Sequence, residues 1–142
     1  MSRHALEGSL LRPAFLGMLL VLYLSSCGSF SMRGKLDQSV DRYNDLVRGK
    51  KLDAASLFAA ESLSREYGER AEKARNVKIV DYRVLGTKYD EKKSEAEVRV
   101  EIDYVSASTY LLKTVVDVQR WAYLEEGGKK RWRLTSLLPE FK

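Results

Sequence analysis

The chain has 142 residues, enough for one domain, with 44% apolar and 32% charged residues, a balance that argues against disorder. The formal charge of +5 is mild and mixed along the chain, too weak to point to nucleic acid. The single histidine (His4) and the single cysteine (Cys27) both lie in the first 27 residues, so the remainder has no means for Ser-His-Asp or Cys-His catalysis or a His/Cys zinc site.

The first twelve residues carry Arg3 and Arg12 against one acid, Glu7, and residues 14–24 follow without a charge. Eleven helical residues span about 16 Å, roughly half the apolar core of a bilayer. A basic segment followed by an apolar run of this length predicts a secretory signal peptide.

Leu24-Ser25-Ser26-Cys27 closes that run. It resembles the bacterial lipobox: an aliphatic residue, two small residues, then the acylated cysteine. The resemblance implies cleavage between Ser26 and Cys27. It also implies a diacylglycerol thioether and an N-acyl group on Cys27, giving the multi-chain anchoring that one acyl chain does not provide. The organisation expected is a removed signal peptide (1–26), a lipidated tether (27–35) and a folded domain (36–142). In a Gram-negative cell, Gly28 in place of an Asp favours the outer membrane, with the domain facing the periplasm. Once cleaved, the chain has 23 Lys and Arg against 19 Asp and Glu, still slightly basic.

Residues 36–48 read as the first helix: Leu36, Val40, Tyr43, Leu46 and Val47 form one apolar stripe, and Gly49 suits its end. Asp37 and Asp41 are expected near its start, where they favour the helix dipole. Asp53 is expected to cap a second helix over 54–60, and Ser62 or Ser64 a third over 64–76. Gly68 weakens the third by about 1 kcal/mol, and the two segments can equally form one bent helix.

From Asn76 the period changes to two. A first strand over 77–89 places Val80, Tyr82 and Val84 on one face, while Val77 and Ile79 have the other parity, which predicts a bulge or burial on both faces. Residues 90–94 form a hairpin loop. In the second strand Ala96, Val98, Val100, Ile102 and Tyr104 alternate strictly with Glu95, Glu97, Arg99, Glu101 and Asp103, giving one dry and one wet face. A third strand over 110–124 is expected to point Val116 and Val118 inward, with a bulge near Trp121 and Tyr123. Gly127-Gly128 supplies the next hairpin turn. A fourth strand over 130–138 carries Trp132 and Leu134 on one face, Arg131 and Arg133 on the other.

Three helical segments followed by four hairpin-linked strands predict an α+β domain, with the N-terminal helices packed on a strongly curved four-stranded antiparallel sheet. This order, with the late Trp of Arg131-Trp132-Arg133-Leu134, resembles the NTF2-like superfamily over roughly residues 36–138; a cystatin-like arrangement is close to it. The resemblance implies a conical pocket, for which Tyr43, Tyr82, Tyr104 and Trp132 are the candidate lining. An acid–base enzyme of the isomerase or dehydratase type needs a carboxylate on the dry face. Glu97, Glu101, Asp103 and Asp117 are instead expected to face water. The reading that follows is a lipid-anchored, non-enzymatic envelope domain that binds a partner protein or a small apolar ligand. It needs no cofactor, metal or nucleic acid, and homodimerisation through the sheet is an alternative.

Overall fold

The computed structural model of the protein describes residues 31–142. Ser26, Cys27 and the proposed cleavage site lie outside the described residues. Helix α1 (Met32–Arg48) buries Leu36, Val40, Tyr43, Asn44 and Val47 along one stripe. It begins four residues before the apolar stripe does, so its first turn contains no acid, and Asp37 and Asp41 lie further along. The first helix accordingly starts at Met32.

The second helical segment is shorter than expected. Helix α2 (Leu52–Ser56) ends early, and Lys51, not Asp53, occupies its N-cap without a side-chain cap. The chain then extends so that Ala59 bridges Leu134 in parallel. A 3-10 turn (Glu61–Leu63) leads into α3 (Ser64–Lys73), whose N-cap is Leu63, and a second 3-10 turn (Ala74–Asn76) follows. Helices two and three are separate. Gly68 faces open space.

The sheet is an antiparallel meander of β1 (Val77–Asp90), β2 (Glu95–Ser106), β3 (Leu112–Glu126) and β4 (Lys129–Leu134). The helices cover one face. Strand β2 follows its sequence pattern: Ala96, Val98, Val100, Ile102 and Tyr104 are all buried. In β1 the register shifts between Ile79 and Asp81 and again between Val84 and Gly86, so the strand is bulged, one of the two outcomes its mixed parity allowed. Val80 falls within the first shift and is exposed. Tyr82 and Val84 do share a face, opposite Ile102 and Val100.

Strand β3 reverses the expectation. Val116 and Val118 are each 41% exposed, while Asp117 (5%) and Gln119 (0%) are buried with Trp121. The cause is register: Val100 pairs with Asp117, Val98 with Gln119 and Ala96 with Trp121, and partners across an antiparallel pair share a face. No register shift interrupts β3 against β2 or β4, so the expected bulge near Trp121 is absent. Bulges bend a sheet, and here they are confined to the edge strand β1. The sheet is therefore open and not strongly curled. β4 stops at Leu134, and 135–142 fold back as an irregular tail that buries Leu138.

Candidate functional site

The four aromatic residues singled out from the sequence occupy separate stations. Tyr43 is in the core, its hydroxyl 2.9 Å from that of Tyr67, and its ring meets Phe58, Tyr67 and Trp121 edge-on. Such contacts add about 0.5–1.5 kcal/mol each beyond burial. Tyr82 lies at the junction of α1 and β1 and donates to Asp45 Oδ1 at 3.1 Å. Desolvation, with the carboxylates of Asp45 and Asp41 nearby, pushes its hydroxyl up to about 12. Tyr104 holds the tail: its hydroxyl donates to the Lys142 carbonyl (2.7 Å) and accepts from the Lys142 N–H (3.1 Å). Trp132 ties β4 to the start of α1 by donating from Nε1 to the Met32 carbonyl at 3.0 Å, flanked by Tyr89 and Tyr123.

Beneath α1 lies a polar network that includes Asp117, which was expected to face water and is buried. Gln119 Nε2 donates to Asp117 Oδ2 (2.9 Å) and to Asn44 Oδ1 (2.8 Å). Asn44 Nδ2 donates to the Val40 carbonyl at 2.8 Å, and Trp121 Nε1 to Gln119 Oε1 at 3.3 Å. Burial pushes the Asp117 carboxyl up to about 6, against a smaller lowering by the Gln119 bond. Burial also raises the Tyr43 and Tyr67 hydroxyls, and the charge of Asp117 adds to both. Buried polar groups that partner one another rigidify a core and fix the alignment of the elements carrying them. Here they set α1 against β3. One signal was available for them: Trp121 and Tyr123 share the parity of Asp117 and Gln119, and aromatic bulk outweighs that of two valines.

Among the described residues no element covers the opposite face of the sheet. Its middle is an ionic lattice in which Arg83 bridges Glu101 and Asp103 (3.1 Å to the latter), and Thr114 Oγ1 donates to Asp103 at 2.7 Å. Hydrogen bonding from Thr114, then from Arg83, holds the Asp103 carboxyl below its ordinary value. Beside it Val116 and Val118 are exposed, and on the far side of Thr114 Leu112 leads into the β2–β3 tip, where Tyr110 is 83% exposed and Leu111 61%.

A surface groove of about 430 Å³ lies between α1, residues 54–58 and β4, and includes Trp132. Arg133 builds one wall of it. This residue was expected to point to solvent with Arg131, yet it is 8% exposed. Its guanidinium donates to the carbonyls of Leu57 (2.5 Å) and Ala59 (2.7 Å), and Nε lies 2.7 Å from Glu126 in an ion pair. Glu126 in turn accepts from the Glu61 N–H at 3.0 Å. The bend of the 57–60 segment over the edge of β4 brings its carbonyls to Arg133, a proximity no sequence pattern encodes.

Among the described residues no group of three or more His, Cys, Asp or Glu is arranged to hold a metal ion, and no helix is long and apolar enough to cross a membrane. No protein-family model matches the chain, and no curated protein matches it.

Proposed function

We propose that this is a lipid-anchored, non-enzymatic domain of the cell envelope that binds a partner protein through the open face of its sheet. The observation that carries the binding reading is the exposure of Leu112, Val116 and Val118 on that face, with Tyr110 and Leu111 at the adjoining tip. β-Branched side chains exposed to water on an otherwise ionic face mark an interaction surface. The Arg83–Glu101–Asp103 lattice at the middle of the face borders them with charge. The anchor rests on Leu24-Ser25-Ser26-Cys27 at the end of the apolar run. With α1 starting at Met32, four residues separate Cys27 from the domain, a reach of about 17 Å counted from Cys27. This keeps the domain at the membrane surface.

The finer fold assignment, an NTF2-like fold, draws its support from the order of helices before a four-stranded meander. Photo-crosslinking from position 118 in the native envelope tests the partner. A discrete adduct that is lost when the probe moves to Lys92, in the β1–β2 hairpin loop, supports the reading. A self-adduct assigns the face to a homodimer, and equal diffuse labelling from both positions refutes it. For the anchor, equal incorporation of labelled fatty acid into wild type and Cys27→Ser would remove it.

A second reading, an isomerase-type acid–base enzyme, is favoured by Asp117, whose raised carboxyl lies on the dry face with Tyr43 and Tyr67. It requires that a substrate reach a side chain 5% exposed. A water-soluble carbodiimide measures that access: modification of Asp117 in the folded protein supports the enzyme, and protection while surface carboxylates react removes it.

A further inference from the structure

The groove between α1 and β4 is independent of the sheet face and has its own chemistry. Its floor is apolar, made by Leu46, Phe58 and Trp132, with Leu57 on the rim. Leu57 is 72% exposed, yet its segment is pinned: Arg133 bonds the carbonyls of Leu57 and Ala59, the Leu134 N–H donates to the Phe58 carbonyl at 2.7 Å, and the Ala60 N–H to the Leu134 carbonyl at 2.9 Å. A leucine held out on a rigid wall is a preorganised contact, which lowers the cost of binding. Two cations flank the floor, Arg42 from α1 and Arg131 from β4, and among the described residues neither guanidinium has a hydrogen-bond or ion-pair partner. Of the other surface arginines, Arg33, Arg48, Arg75 and Arg83 are paired with acids of this chain, while Arg65, Arg99 and Arg120 also have no ion pair among the described residues but do not line this groove.

We infer that this groove binds a single-chain amphiphilic anion, a free fatty acid, with its carboxylate between Arg42 and Arg131 and its chain along Leu46, Phe58, Trp132 and Leu57. A guanidinium presents the fork that a carboxylate matches. The volume lies in the range of about 300–1,000 Å³ for ligand sites and is of a size for one acyl chain. A peptide fits less well. Its backbone N–H groups would need acceptors, and among the lining side chains only the Gln38 amide oxygen and the Ser39 hydroxyl, which donates to the Lys35 carbonyl at 2.9 Å and keeps its lone pairs, can accept.

The test is equilibrium dialysis of radiolabelled laurate against the full-length protein in nanodiscs of zwitterionic lipid, with empty discs as the blank. Wild type takes up one saturable equivalent. Arg42→Gln and Arg131→Gln each weaken binding about tenfold, equivalent to about 1.4 kcal/mol, and the double variant loses saturable uptake. Both side chains are exposed, so the variants keep the wild-type melting curve. Dodecanol, which lacks the charge, binds at least tenfold more weakly than laurate, and Val118→Thr on the sheet face leaves laurate binding unchanged. Equal uptake by wild type and the double variant overturns the inference. So does dodecanol binding as tightly as laurate, or an acidic aromatic peptide displacing laurate at lower concentration.

Discussion

Replacing Asp117 by Asn should flatten the acid side of the stability curve. The ordinary carboxyl value is 3.8, and burial pushes Asp117 to about 6 in the folded protein. At about 1.36 kcal/mol per tenfold change in proton affinity, that gap amounts to about 3 kcal/mol. Below pH 3.8 the carboxyl is neutral in both folded and unfolded chains, and the fold carries no penalty. As pH rises towards 6 the unfolded chain ionises and the folded one does not, so stability falls. Above about 6 the folded carboxyl ionises too, and the loss levels off. Asn stays neutral throughout, and its carbonyl can still accept from Gln119 Nε2, as Asp117 Oδ2 does at 2.9 Å. Urea melts at pH 4, 5, 6 and 7.5 give the difference between the two proteins, in which carboxylates common to both, such as Asp103, cancel. The wild type should lose up to about 3 kcal/mol relative to the variant between pH 4 and 7.5. Parallel curves would refute the buried, neutral Asp117. A relative gain in wild-type stability with rising pH would mean that the carboxylate has a cationic partner there.

Arg133→Met removes the donor to the Leu57 and Ala59 carbonyls and leaves the partly buried Glu126 without its cation. A loss of about 3–5 kcal/mol is expected in thermal or urea melts, and adding Glu126→Gln should recover part of it. Trp132→Phe keeps the ring contacts with Tyr89 and Tyr123 and loses the bond to the Met32 carbonyl. It should cost about 1 kcal/mol and speed amide exchange in the first turn of α1; unchanged exchange there would show that this bond does not hold the helix start. Val116→Thr with Val118→Thr changes only side chains that are 41% exposed, so stability should move by less than about 1 kcal/mol while crosslinking from the sheet face falls. A large destabilisation would place those valines in packing that the monomer does not show.

Element order, the helical stripe of α1 and the strict alternation of β2 are local patterns, and they were legible because each period selects one buried face. The bulge in β1 was legible for the same reason, as a break in parity. The charge, the lone cysteine and the segment ahead of it are likewise properties of composition and spacing. The inward face of β3 was only weakly legible: both of its parities carry bulky side chains, Val116 and Val118 on one, the larger Trp121 and Tyr123 on the other. Only pairing with Val98 and Val100 of β2 decided between them, burying Asp117 and Gln119 under Asn44 of α1. The same holds for Arg133 and the groove wall, where chain segments far apart in sequence meet and supply one another's hydrogen bonds. Periodicity reports which residues share a face. Which face is buried, and which polar groups find partners inside it, depends on the neighbouring strand and on the helix laid across it.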